Sequence, residues 1–167
     1  MEIRAAVPED LDEIMRVIDT ARAFMRAHGN LKQWINGYPS RELYAGDIAD
    51  HNCYVIVEDG KVHAVFGLFE GADPTYAVIE DGAWPDDDPY ICIHRIGSDG
   101  VLHGALRAAV AFALTRCPVV RADTHEDNRV MQQALQKCGF VRCGVIHVAD
   151  GSPRIAFERP AKSATSV

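Results

Sequence analysis

Tyr90-Ile91-Cys92-Ile93-His94-Arg95-Ile96-Gly97-Ser98-Asp99-Gly100-Val101-Leu102-His103-Gly104-Ala105 passes from an apolar run through a glycine-rich turn into the start of an amphipathic segment. It reads as strand, turn, helix. A helix that opens at such a turn aims its unpaired first N–H groups and the positive end of its dipole at one spot, so an anion or phosphate there is held without a basic side chain. Neither G-x-G-x-x-G nor G-x-x-x-x-G-K-[ST] is present, and strand-turn-helix is also how any α/β protein turns a corner.

Upstream, Glu2 to Ala6 is a short strand, and Pro8 with Glu9 and Asp10 starts a helix over about 8–28 that stops at Gly29-Asn30. Its predicted inner face is Leu11, Ile14, Met15, Ile18, Arg22 and Met25. Ser40 caps a second helix to about Asp50. Cys53–Val57 and Val62–Phe69 flank Glu58-Asp59-Gly60-Lys61, a hairpin turn. Residues 71–89 form a long acidic excursion, either simply solvated or a negative rim for an amine, with an extra strand proposed over Tyr76 to Glu80.

Downstream, Leu102, Leu106, Ala109, Val110, Ala113 and Cys117 trace a helix face ending before Pro118. Val119 to Thr124 is a strand. Asp127 or Asn128 caps a last helix that Gly139 closes. Phe140–Val148 and Arg154–Glu158 make a final hairpin across Asp150-Gly151-Ser152-Pro153. The order βααβββαβαββ predicts an α/β arrangement around one mixed sheet. We expect one domain over 1–159 and a frayed tail over 160–167.

A chain of 167 residues with 48% apolar and 25% charged side chains is long and apolar enough to bury its own core. The net charge of -7 argues against a nucleic-acid footprint and favours a cationic or neutral small partner, although acidity also serves solubility. Five scattered cysteines without a C-x-x-C pair, no signal-peptide stretch at Met1-Glu2-Ile3-Arg4 and no membrane-length apolar run lead us to expect a cytoplasmic protein that binds no membrane.

The element order, with Gln33-Trp34-x-x-Gly37-Tyr38-Pro39, Ile93-His94-Arg95-Ile96, Asp123-Thr124-His125-x-Asp127-Asn128-x-x-Met131-Gln132 and Gly151-Ser152-Pro153-Arg154, resembles the GNAT superfamily of acyl-CoA-dependent N-acetyltransferases. More narrowly, it is similar to a bacterial branch of mostly unassigned substrate. The resemblance implies a mixed, mostly antiparallel sheet with splayed central strands and helices on both faces. It implies that acetyl-CoA, as co-substrate, lies along Ile96, Gly97 and Ser98. The family's pyrophosphate loop, [QR]-x-x-G-x-[GA], falls on residues 101–106, implicating the backbone of Leu102, His103, Gly104, Ala105 and Leu106; only Gly104 matches by type, and Val101 and Leu106 depart. Asn128 matches a cofactor-positioning asparagine and equally reads as a helix cap. Where the family often places a tyrosine acid, this chain has Leu135.

Aminolysis of a thioester needs a neutral amine and a stabilised oxyanion. His94, two residues before Ile96 and so expected on the same strand face, is the first choice for the base; a buried, hydrogen-bonded histidine is its alternative. Tyr90 is the second choice. His125 is expected to scaffold a turn, and no metal is expected. Gln33, Trp34 and Tyr38 fall between the first two helices, where the resemblance implies the acceptor wall; packing is the default alternative for these aromatics. The expected activity is acetyl transfer to a primary amine of a small molecule or peptide, with a non-catalytic acyl-CoA-binding or ligand-binding module of the same fold as the alternative. A homodimer is compatible with the sequence.

Overall fold

The computed structural model describes residues 1–161. Seven strands form one sheet: Glu2–Ala5 (β1), Cys53–Glu58 (β2), Lys61–Glu70 (β3), Ile91–Ser98 (β4), Val120–Thr124 (β5), Val141–His147 (β6) and Pro153–Arg159 (β7), in the spatial order β1-β2-β3-β4-β5-β7-β6. Every pairing is antiparallel except β4 with β5. Four helices complete the order read from the sequence: Leu11–Ala27 (α1), Arg41–Ala49 (α2), Ala105–Leu114 (α3) and Arg129–Lys137 (α4). The proposed tail over 160–167 lies outside the described residues from 162 onward.

Alternation along the strands divides the core into two faces. Tyr54 and Ile56 of β2, Ala64, Phe66 and Leu68 of β3, and Ile91 and Ile93 of β4 pack under α3 and α4. Cys53, Val55 and Val57 of β2 with Val62 and Val65 of β3 pack under α1 and α2. Helix α1 buries Ile14, Val17, Ile18 and Ala21, a face turned slightly from the predicted one, so Arg22 reaches the rim and donates to the Tyr38 carbonyl at 3.1 Å.

Residues 71–89 are neither a simple solvated loop nor an added strand. Pro74–Tyr76 forms a 3₁₀ turn, and of the proposed Tyr76–Glu80 strand only Glu80 bridges, to Val145. The excursion covers the part of the sheet that α1 and α2 leave bare: Tyr76, Ile79 and Trp84 pack with Cys92, Ile146 and Ala156. Arg121 holds it down, its guanidinium 3.9 Å from the Trp84 ring centroid and 4.0 Å from that of Tyr90, while its Nε donates to the buried Glu158 at 3.0 Å.

Candidate active site

Strands β4 and β5 pair only through Ile91 with Val120 and Cys92 with Arg121, then diverge. Beyond Cys92 the edge of β4 facing β5 therefore has no strand partner, and a cleft of about 800 Å³ opens there. Ile96, Leu106, Ala122, Asn128, Met131 and Leu135 line it alongside His94, Asp73 and Asp123. The splay expected from the resemblance is present.

A bulge sets which way β4 presents its side chains. Against β3, His94 pairs with Gly67 and Gly97 with Val65, so one residue on β3 opposes two on β4, and Arg95 takes φ +52°. The extra residue inverts the alternation. His94 and Ile96, expected on one face, lie on opposite faces: Ile96 packs against the α3/α4 core, whereas His94 stands on the other side, 5.5 Å from the Phe69 ring centroid and 5.9 Å from that of Tyr76. Both still line the cleft, because the cleft passes through the sheet between β4 and β5. The bulged Arg95 turns its guanidinium to Asp47 on α2, and its carbonyl accepts from the Tyr44 hydroxyl at 3.2 Å.

His94 sits between two carboxylates. Its Nε2 is 2.9 Å from Asp73 Oδ2 and its Nδ1 is 3.8 Å from Asp123 Oδ2. Asp73 is fixed by the N–H and hydroxyl of Thr75, both donating to its Oδ1. The hydrogen bond from His94, with those from Thr75, holds the Asp73 carboxyl down at about 2 against the cost of burial. Asp123 accepts the Tyr76 hydroxyl at 2.7 Å, and burial pushes that phenol well above its ordinary range. Asp73, Cys92 and His94 bring three possible metal-ligand atoms within 4.8 Å, but burial pushes the Cys92 thiol far above its usual range and the carboxylate and imidazole already satisfy each other.

Tyr90 does not join this group. Its hydroxyl accepts the Asp73 N–H at 2.8 Å and its ring stacks on Arg121, so it shapes the excursion and stands outside the cleft wall. His125 scaffolds its turn as expected, Nδ1 accepting the Asp127 N–H at 3.0 Å.

On the cofactor side, Ile96, Leu106 and Asn128 line the cleft, while Gly97, Ser98, Leu102, His103, Gly104 and Ala105 do not. Gly97 is small for a packing reason: a Cβ there would lie 2.8 Å from Ile18 Cδ1 and 3.4 Å from the Trp34 ring. Ser98 Oγ accepts the Gly100 N–H, and Asp99, held by His63 at 2.8 Å, accepts that of Val101. The helix begins later than its periodicity suggests, at Ala105, with Leu102 left in the turn. Among the described residues, the N–H groups of Leu102 to Arg107 have no hydrogen-bond partner, which leaves the anion cradle intact in the backbone.

The acceptor-wall residues divide. Tyr38 is exposed on the cleft rim, whereas Trp34 is buried to 6% exposure in the α1/α2 core and meets the cleft with only part of its ring. Gln33 crosses to the far wall, where its Oε1 accepts from Asn128 Nδ2 at 3.1 Å and from Asn30 Nδ2 at 3.0 Å. Asn128 is at once a cap, accepting the Met131 N–H, and one end of this bridge. Leu135 is buried and offers no proton.

Asp73, Asp123 and Tyr76 escaped sequence reasoning. The signal available was Arg121 and Asp123 two apart inside an apolar strand, a pattern that demands buried partners.

Residues 1–141 match the acetyltransferase (GNAT) domain profile. The chain is 32% identical to a GNAT-family acetyltransferase from Streptococcus agalactiae, covering 97% of this chain and 96% of that one with a TM-score of 0.83. At lower identity the likeness is of fold: 18% to a GNAT-family acetyltransferase from Bacillus cereus (97% and 98% covered, TM-score 0.64), and 15% to the GNAT-like decarboxylase GphF in complex with isobutyryl-CoA (97% and 100% covered, TM-score 0.63). No curated protein matches the chain. The chain belongs to the GNAT acetyltransferase family. No helix among the described residues is long and apolar enough to cross a membrane.

Proposed function

We propose that this protein transfers an acetyl group from acetyl-CoA to a primary amine of a small molecule or peptide by direct attack. The observation that carries the reading is the gap through the sheet: it has an unpaired edge on β4, a histidine on one face and, on the other, Leu106 at the start of α3, where among the described residues the N–H groups of residues 102–107 are free. Acetyl-CoA fits the α3/α4 side, its pyrophosphate on the backbone of residues 102–107 and its arm along β4 past Ile96 and Asn128. The amine enters from the side of Tyr38 and the excursion, where Glu70, Asp73, Asp123 and Asp150 face Lys32, Arg154 and an Arg95 already paired with Asp47.

His94 takes the amine proton, and N–H groups on the free edge of β4 stabilise the oxyanion as the C–N bond forms and the C–S bond breaks. Leu135 leaves the departing thiolate to be protonated by solvent or by the amine's second proton. A non-catalytic module remains the rival, supported by the departures at Val101 and Leu135. Two measurements separate them: a rise in melting temperature with acetyl-CoA, and release of free thiol that depends on an added amine. A rise without amine-dependent release selects the binding module; neither effect overturns both readings.

A further inference from the structure

Resting on that reading, we propose that Asp123 is the anchor for the acceptor's ammonium group, so that the site selects amines that enter protonated with two or more N–H bonds and discriminates against alcohols. With the His94 imidazole neutral, as a base must be, the geometry around it leaves a place for a donor between the ring and Asp123. Asp73 is a carboxylate with no proton to give, so Nε2 of His94 is the donor in their 2.9 Å hydrogen bond. In the neutral imidazole Nδ1 then carries a lone pair, and it faces Asp123 Oδ2 at 3.8 Å, too far for a direct hydrogen bond.

Two acceptors thus confront each other across a gap open to the cleft. The Tyr76 hydroxyl already donates to Asp123 Oδ2 from the far side, which orients the carboxylate and leaves its remaining capacity toward the gap. Lys32, Arg95 and Arg154 line the same cleft, but among the described residues none of them pairs with Asp123: the Arg95 guanidinium lies over the Phe69 ring and is turned to Asp47, and beside His94 stand the rings of Phe69 and Tyr76 and the protonated thiol of Cys92.

A nitrogen at about 2.8 Å from both atoms closes this gap, and it must carry two N–H bonds directed to two acceptors. A primary ammonium does so with a third hydrogen to spare. A hydroxyl has one hydrogen, and a quaternary ammonium none.

The same contacts order the proton transfers. The ammonium gives one proton to Nδ1, leaving an imidazolium flanked by Asp73 and Asp123. The freed nitrogen lone pair attacks the thioester carbonyl. On collapse the C–S bond breaks, the second proton from nitrogen goes to the thiolate, and the imidazolium returns its proton to solvent.

Asp123→Asn keeps size and the Tyr76 contact while removing the charge. For a primary amine we expect its KM to rise about tenfold or more with the acetyl-CoA dissociation constant unchanged. Independently of turnover, propylammonium should shift the ¹⁵N resonances of the His94 ring in the wild type and not in Asp123→Asn; Tyr76→Phe, milder for folding, should weaken that response. If the wild type releases no thiol but the propylammonium shift is present and lost in Asp123→Asn, the anchor stands and the transfer reading fails. If thiol release proceeds and neither the KM nor the shift responds to Asp123→Asn, the anchor is overturned and the transfer reading stands. Absence of any propylammonium shift in the wild type likewise overturns the anchor.

Discussion

Gln33 Oε1 and Asn128 Nδ2 meet at 3.1 Å across the mouth of the gap between β4 and β5, tying the loop after α1 to the cap of α4. The splay removes the hydrogen bonds that would join β4 to β5, and this bridge restores a connection between the two halves of the molecule without closing the cleft. Asn128 also accepts the Met131 N–H, so one residue both starts a helix and holds the gap.

Asn128→Ala should therefore cost more than an ordinary cap. We expect about 1 kcal/mol for the lost cap and a further coupling to Gln33 of about 0.5–1 kcal/mol in a double-mutant cycle with Gln33→Ala. Urea denaturation of the two single variants and the double variant measures both terms. Strict additivity would mean that the bridge carries no energy.

Much of the architecture is local and was legible for that reason. The Asp59-Gly60 turn, the Ser40 cap and the Gly139 stop each act within a few residues, and the element order follows from them. The active-site face was not read because it depends on a register shift between β3 and β4 whose positive φ falls on Arg95 and not on a glycine; the signal present was Gly67 and Gly97, one inside each strand, which stand at the two ends of the shift. The partners of His94 were hidden for a related reason, since Asp73 and Asp123 reach it from separate segments that only the folded sheet brings together. Trp34 was placed on the acceptor wall from the family resemblance and its position after α1; its burial against Gly97 is a long-range contact that the local sequence does not mark.

That burial makes Trp34→Ala a stability variant first. We expect a loss of about 3–5 kcal/mol, visible in chemical denaturation. Any change in acceptor KM then has to be judged at a temperature where the variant remains folded; a melting temperature equal to that of the wild type would return Trp34 to the acceptor wall.

Gly104 precedes α3 with φ +80°, and a Cβ there would meet no atom within 4 Å. Substitution is therefore penalised by backbone strain and not by a clash. Gly104→Val should lose about 1–2 kcal/mol of stability, and Gly104→Asn less, because asparagine tolerates this region. If the free N–H groups that follow hold the pyrophosphate, the valine variant should bind CoA about tenfold more weakly while pantetheine, which lacks the phosphates, binds as before. Equal losses for both ligands would place the phosphates elsewhere.

Glu158 is completely buried, and that burial, reinforced by the neighbouring Asp86 carboxyl and opposed by Arg121, pushes its carboxyl up to about 7. In the unfolded chain the same group ionises at an ordinary carboxylate pH. Between those two values the folded state holds a proton that the unfolded state has lost, so this group's contribution to stability falls as pH rises from about 4.5 through about 7. Glu158→Gln, which cannot titrate, should flatten that decline in denaturation curves taken from pH 5 to 8. A slope identical to the wild type would assign the decline to another group.

His94 is placed to accept a proton through Nδ1, the nitrogen left free by its hydrogen bond to Asp73. The pH profile of the wild type alone cannot identify it, since deprotonation of the acceptor amine produces the same rising limb in kcat/KM. An acceptor that is already neutral at the assay pH, such as trifluoroethylamine, removes the amine's own titration and leaves the enzyme's. A neutral acceptor has no ammonium proton to give up, so Nδ1 takes the one proton the nitrogen loses as it attacks and solvent protonates the thiolate; with that acceptor His94→Gln, close in size and unable to titrate, should lose about a hundredfold in kcat and also lose the remaining limb, while its acetyl-CoA dissociation constant stays unchanged. If His94→Gln keeps the wild-type rate and the same limb with the neutral acceptor, the base is a water chain, and the Asp73 pairing serves only to fasten the excursion to β4.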